Sequence, residues 1–306
     1  MKRTTPSDQT VLVTGGAGFV GSHLVDALAP DNDVRVLDDL SSGDPTKVDD
    51  RATLIESDVR DPDAVREAMA GADLVFHEAA LVSVEQSVEN PQESHAVTTG
   101  GTLTVLDAAR NEDARVVLAS SAAVYGHPES VPVQESDRKT PTSPYGIDKL
   151  AADQYARRFS ELYGLETVAL RYFNIYGPRQ NPEYSAVVSV FEDQALAGDP
   201  ITVEGDGSQT RDFVHVDDVV QANLLAAETD RVGEAFNVGT GESVTIRELA
   251  ETVRDVAGSD SDIVHTDPRP GDIDHSEADV SKAREQLGYE PTVSLRDGLE
   301  SLLDRN

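Results

Sequence analysis

The sequence predicts an α/β protein: a doubly wound parallel sheet covered by helices on both faces, with a smaller C-terminal α/β lobe. Three observations carry that reading. Short, near-continuously apolar runs alternate with helical patterns through the first half of the chain, as expected of strands buried on both faces. A glycine-rich turn, Gly15-Gly16-Ala17-Gly18-Phe19-Val20-Gly21, stands directly between the first apolar run and the first helical pattern. Beyond about residue 175 the alternation loosens into loops rich in Gly, Pro and Asp.

Taken in order, residues 10–13 read as a buried strand and the helix after the glycine turn runs through Val20, Leu24 and Leu28. A second strand over 34–37 ends at Asp38-Asp39, and a short third covers 52–55. Residues 61–70 read as a helix, with Asp61 as N-cap and Pro62 at the first helical position, the places those residues favour. Strands follow at 74–76, 115–119 and 167–170, separated by helical patterns over 92–110 and 145–163. Residues 128–144, with Pro128, Pro132, Pro141 and Pro144, form the loop that delivers Tyr145 to a helix start. Residues 1–175 are expected to form one domain, joined by parts of 212–240. Residues 176–306 are expected to form mainly the smaller lobe.

The charge narrows the function. Against 57 acidic residues stand 25 basic ones, a net −32 on 306 residues. Such a surface repels nucleic acid and anionic membranes, so neither is an expected partner. No apolar run is long enough to span a bilayer, and a cytoplasmic protein is expected. Only 5 of the basic residues are Lys, and the acidic surplus runs along the whole chain, as in proteins of salt-loving organisms. There is no Cys, which excludes disulfides, thiolate chemistry and cysteine metal sites. No metal is expected.

The glycine turn reads as a Rossmann-type dinucleotide site. Gly15 allows the tight turn, Gly18 lets backbone approach a pyrophosphate, and Gly21 lets helix and sheet pack closely. The helix N-terminus turns amide hydrogens toward the phosphates. Asp38, at the end of the second strand, suits the adenine ribose diol and favours NAD over NADP. Asp58 and Val59 follow the third strand and are placed at the adenine edge, with Phe19, Val20 and Ala79 completing the cofactor surface.

Tyr145 and Lys149 lie one turn apart on one helix face. A phenol is a poor base at neutral pH, and a cation beside it is expected to lower its pKa. Ser121, at the end of the strand before them, projects toward the same edge of the sheet. There it can hydrogen-bond a substrate oxygen while Tyr145 exchanges its proton.

The set Thr14–Gly21, Ser120-Ser-Ala-Ala-Val-Tyr-Gly126, Tyr145-x-x-x-Lys149, Arg171-Tyr-Phe-Asn-Ile-Tyr-Gly-Pro178, the segment from Gly205 to Asp218, Asn237-Val-Gly-Thr-Gly241 and Arg269-Pro-Gly-Asp272 resembles the extended short-chain dehydrogenases/reductases, in their nucleotide-sugar epimerase group. The resemblance covers nearly the whole chain and is greatest to UDP-glucose and UDP-N-acetylglucosamine 4-epimerases. It implies catalysis by Ser121, Tyr145 and Lys149, with Lys149 also binding NAD. It implies substrate contacts from Asn174, Arg211, Arg269 and Asp272, the two arginines gripping the UDP-sugar diphosphate. It also implies a homodimer built on the helices at 92–110 and 145–163. Dehydratases of the group carry Glu or Asp-Glu after the serine, where this chain has Ala122 and Ala123; that leaves inversion at C4 through a transient 4-keto sugar. Ser276 stands where a bulky aromatic would restrict a 2-N-acetyl group, so the acetylated sugar is expected to fit. Thr98 and Val82 stand where common relatives carry Asn and Lys. The alternatives are a UDP-glucuronate 4-epimerase, a keto-sugar reductase, or a non-catalytic NAD-binding scaffold.

Overall fold

A computed structural model describes residues 6–180, 187–268 and 271–303. In chain order the strands are β1 (Thr10–Thr14), β2 (Asp33–Asp38), β3 (Thr53–Glu56), β4 (Leu74–His77), β5 (Arg115–Ser121), β6 (Thr167–Tyr172), β7 (Asn174–Tyr176), β8 (Ile201–Glu204), β9 (Thr210–Arg211), β10 (Phe213–His215), β11 (Glu234–Val238), β12 (Val244–Thr245) and β13 (Ile263–Thr266). The helices are α1 (Phe19–Leu28), α2 (Pro62–Met69), α3 (Val84–Glu89), α4 (Pro91–Ser94), α5 (Gly101–Glu112), α6 (Pro144–Tyr163), α7 (Val187–Ala197), α8 (Val216–Glu228), α9 (Ile246–Val256), α10 (Ser281–Leu287) and α11 (Leu295–Leu303).

Seven strands form one parallel sheet in the order β11-β6-β5-β4-β1-β2-β3. Strand order reverses between β1 and β4, and ligands of such sheets bind outside the carboxyl ends of the strands at that point. Alternate residues of β1 face opposite layers. Val11 and Val13 pack with Leu24, Val25 and Leu28 of α1 and Val219 and Ala222 of α8. Leu12 packs with Val65 and Met69 of α2, Val105 and Leu106 of α5, and Ala152 and Ala156 of α6. Both faces are therefore apolar, which is why these strands show no polar alternation. The lobe has its own core, in which Val188 and Phe191 of α7, Leu249 and Val253 of α9, and Ile201 and Val203 of β8 meet Leu299 of α11.

Asp61 caps α2 as expected, accepting from the backbone N of Asp63 and Ala64. The expected helix over 92–110 is not uniform. After α4 comes a π-helical turn, His95–Gly100, before α5 begins. The cause lies on α6, where the Asp148 carboxylate accepts from Ser94 Oγ (2.6 Å), His95 Nδ1 (2.9 Å) and Thr99 Oγ1 (3.2 Å). Widening the turn brings these side chains onto one buried acceptor.

Candidate active site

Gly15 adopts a left-handed φ of 71°, and its N donates to Leu37 O (2.9 Å). A side chain there would lie 2.7 Å from Ala79 N, so the turn sits flush against the end of β4. At Gly21 an added Cβ would lie 2.1 Å from Gly15 O, so the helix and the turn share space that only a hydrogen can fill. The N-cap Gly18 offers no side-chain acceptor, and the first turn of α1 holds no acidic residue. No side chain competes for the amides at the start of α1, so they suit an anion of the kind NAD presents through its pyrophosphate, and the site fits that group. Asp38 is buried, with Oδ2 accepting from Ala17 N (2.9 Å) and Oδ1 from Leu40 N (2.9 Å). Burial pushes its carboxyl above the usual range, against those two backbone bonds. Asp58 is forked onto Arg60, whose guanidinium also reaches Glu93 (2.8 Å). Val59 is buried beneath Gly101 at the start of α5.

Ser121 closes β5 and caps the short 3-10 turn Ala122–Val124, accepting from Ala123 N (3.1 Å). It also acts on the Tyr145 phenol, favouring its ionised form. Tyr145 enters α6 just after its N-cap Ser143, and its N donates to Ser87 Oγ (3.1 Å). Lys149 is buried one turn on, with Nζ donating to Ala119 O (2.8 Å). The expectation of a lowered tyrosine pKa is corrected here. Burial pushes the Tyr145 phenol up and Ser121 offsets this only in part, while the Lys149 ammonium donates to a carbonyl of β5. Burial in turn pulls Lys149 down to about 8, with the charge of Glu78 opposing it.

Several groups around this set had not been singled out in the sequence. The face of α6 that carries Tyr145 and Lys149 continues with Asp153, which binds Arg171 of β6 through two bonds (2.9 and 3.1 Å). Both side chains are fully buried. Ser120 Oγ donates to Asp153 (3.1 Å), and Arg171 donates to Tyr125 Oη (2.9 Å), which donates to Asn237 Oδ1 (2.6 Å). This chain of bonds ties the strand ends together beneath Ser121. The repeat of polar residues every fourth position, from Tyr145 to Asp153, is the signal that would have found it.

In the lobe, Asn174 Nδ2 donates to Asp212 O (3.0 Å). Arg211 donates to Thr210 O (2.8 Å) and to Asp272 Oδ1 (2.5 Å). Ser276 N donates to Thr210 O (3.1 Å), so Ser276 and Arg211 share one strand edge. The buried Asp212 carboxylate joins these pieces, accepting from Thr240 N, Thr240 Oγ1, Gly241 N and Ala278 N at 2.7–3.1 Å. Asp272 also lines a cavity of about 780 Å³ with Gln209, Arg247 and His275. Arg269 lies outside the described residues. Thr98 is buried and accepts from Leu81 N (3.2 Å), while Val82 is exposed.

A glycine-turn dinucleotide fold with a Ser–Tyr–Lys set at its strand ends defines a dehydrogenase/reductase-type enzyme that carries a nicotinamide cofactor. The chain belongs to the NAD dependent epimerase/dehydratase family, whose sequence profile matches residues 11–239. It is 38% identical to the UDP-glucose 4-epimerase of Mycolicibacterium smegmatis, over 96% of this chain and 97% of that one. The UDP-N-acetylglucosamine 4-epimerase of Methanobrevibacter ruminantium, in complex with UDP-N-acetylmuramic acid, superposes with a TM-score of 0.94 at 40% identity, covering 98% of both chains. The UDP-glucose 4-epimerase of Thermotoga maritima, with UDP-glucose, gives a TM-score of 0.93 at 38% identity, over 96% of this chain and 97% of that one. Among the described residues no helix is long and apolar enough to cross a membrane.

Proposed function

We propose that this NAD-dependent nucleotide-sugar 4-epimerase accepts both UDP-N-acetylglucosamine and UDP-glucose, inverting C4 with one proton-transfer pair. The set of Ser121 at the end of β5, Tyr145 at the start of α6 and Lys149 buried one turn on carries the reading. When bound, NAD supplies a cation and a reversible two-electron oxidation at the sugar's C4. Gly15, Gly18, Phe19, Val20 and Gly21 hold its pyrophosphate, Asp38 its adenine ribose, and Asp58, Val59 and Ala79 the surrounding wall. Tyr145 takes the proton of the C4 hydroxyl and later gives it back; Ser121 hydrogen-bonds that oxygen throughout. With sugar and cofactor bound, the Lys149 ammonium turns from Ala119 O toward Tyr145 and stabilises the phenolate while the proton is away. Ala122 and Ala123, on the turn after Ser121, bring no further acid or base there, which disfavours loss of water.

Asn174, Arg211 and Arg269 hold the diphosphate about which the 4-keto sugar turns. Asp272 holds the guanidinium of Arg211 until the anion takes its place. The cavity beside Asp272 is of a size to take the nucleoside. Ser276 leaves room for a 2-N-acetyl group. Ile147, Tyr155 and Leu162 stand exposed on α6, which supports a homodimer through this helix and α5. The charge of −32 supports a cytoplasm rich in salt as the working environment.

The test is coupling-free NMR of purified enzyme with UDP-glucose, UDP-N-acetylglucosamine and UDP-glucuronate at high KCl. Inversion at C4 of the first two without added reductant is expected. Steady release of NADH without inversion of any of them would defeat the reading. Ser276→Tyr should selectively slow the acetylated sugar, and equal loss with both hexoses would refute the gate.

A further inference from the structure

Glu78 follows β4 directly and takes no part in the steps above. Its N donates to Thr14 O (3.1 Å), which sets it where β1 and β4 meet at the carboxyl edge of the sheet. Tyr172 Oη, at the end of β6, donates to Glu78 Oε1 (3.0 Å) and accepts from Asn223 Nδ2 (2.8 Å) of α8. Asn223 is itself fixed by donation to Val219 O (2.9 Å). Elements from both sides of the sheet edge therefore converge to hold one carboxylate in place.

Lys149 supplies the reason to hold it: β4 and β5 pair with His77 opposite Leu118, so Glu78 follows on beside Ala119, whose carbonyl takes the Lys149 ammonium. The ammonium is buried and its hydrogen bond runs to a neutral carbonyl, Ala119 O. Among the described residues no carboxylate forms a direct ion pair with it. A buried cation is costly unless a negative charge answers it. We propose that Glu78 is a positioning residue that keeps Lys149 in its ammonium form next to Tyr145, its charge fixed by Tyr172 and Asn223. This rests on the roles given above to Tyr145 and Lys149.

The electrostatics agree with that geometry. Burial raises the Glu78 carboxyl to about 7, opposed by the charge of Lys149 and the Tyr172 bond. Burial lowers Lys149 to about 8, and Glu78 is the group that opposes it. The other ionisable neighbours are His77, Tyr172 and Tyr145. Burial holds His77 neutral, down at about 3, and lifts both phenols, so none of these carries charge near pH 7. Above about pH 7 Glu78 is anionic and supports the ammonium. Below it Glu78 is neutral, but Lys149 is protonated in any case. The support therefore matters from neutral pH upward and vanishes on the acid side.

With only five lysines in the chain, the titration of each can be followed by NMR on the enzyme as purified with NAD, labelled at the lysine Cε. The Lys149 signal is assigned by Lys149→Arg. Glu78→Gln should lower the Lys149 midpoint by on the order of one unit, and Glu78→Asp should keep it near the wild-type value. At about pH 9 epimerisation by Glu78→Gln should fall roughly tenfold, while at about pH 6 it should match wild type. Tyr172→Phe keeps the carboxylate but frees it, and should lower the midpoint by less. This variant serves if Glu78→Gln does not fold. An unchanged midpoint, or equal loss of activity at both pH values, would overturn the proposal. The midpoint does not depend on which sugar is turned over, so failure of the epimerase reading would leave it standing.

Discussion

Gly21→Ala tests the packing of the cofactor turn most sharply. Its Cβ would sit 2.1 Å from Gly15 O and 2.7 Å from Gly16 Cα, where ordinary contact begins at 3.4 Å. Something must retreat by about 1.3 Å, and every atom that blocks it is backbone. Overpacking of this kind costs about 1–3 kcal/mol, with the upper end fitting a site where no side chain can swing aside. Unfolding entropy grows with chain length, so in a chain of 306 residues that lowers Tm by roughly 2–5 °C. The helix N-terminus must also move off the turn, so the amides at Phe19 and Val20 lose their aim at the pyrophosphate. The assay pairs thermal unfolding with the NAD content of the purified protein, read by absorbance after denaturation. Gly100→Ala serves as the control, because its nearest neighbour would be His95 O at 3.8 Å. A helical glycine replaced without a clash should stabilise by about 0.5–1 kcal/mol. A Gly21→Ala protein with unchanged Tm and full NAD would refute the close-approach argument.

Asp153→Asn should destabilise by about 3–5 kcal/mol in denaturant unfolding, because it leaves the buried Arg171 without its anion; an effect below about 1 kcal/mol would mean water reaches the guanidinium. The double change Asp153→Leu with Arg171→Met should recover most of that loss, and no recovery would argue that the pair is needed for packing and not for charge. Tm should rise steadily from low to molar KCl, since the screening length falls from about 10 Å at 0.1 M to about 3 Å at 1 M. A flat Tm over that range would remove the halophilic reading.

Local chemistry made much of this fold legible. The cap at Asp61-Pro62 could be read because both residues act within one turn of themselves. Six of the seven strands of the central sheet could be read because both faces are buried and the apolar runs are unbroken; the seventh, Glu234–Val238, was not read as a strand. The π-helical turn at His95–Gly100 could not, since Asp148, far along the chain, dictates it. Glu78, Asp153 and Asp212 were invisible for a different reason. In a chain with 57 acidic residues, a buried carboxylate looks like every other one until its partners are known. The altered Tyr145 environment was hidden likewise, because spacing places Lys149 on the right helix face but cannot say which acceptor its ammonium chooses.

The place of β11 bears on how the chain is made. The sheet leaves β6 with one edge uncovered, and the strand that covers it, Glu234–Val238, comes only after α8. A ribosome extrudes β6 well before its partner, so for that interval the nascent sheet presents an apolar strand with unpaired amides and carbonyls. Such an edge invites pairing with another chain. Fragments cut before residue 234 should therefore clump more readily than the full chain. Timely arrival of that strand is then a matter of yield.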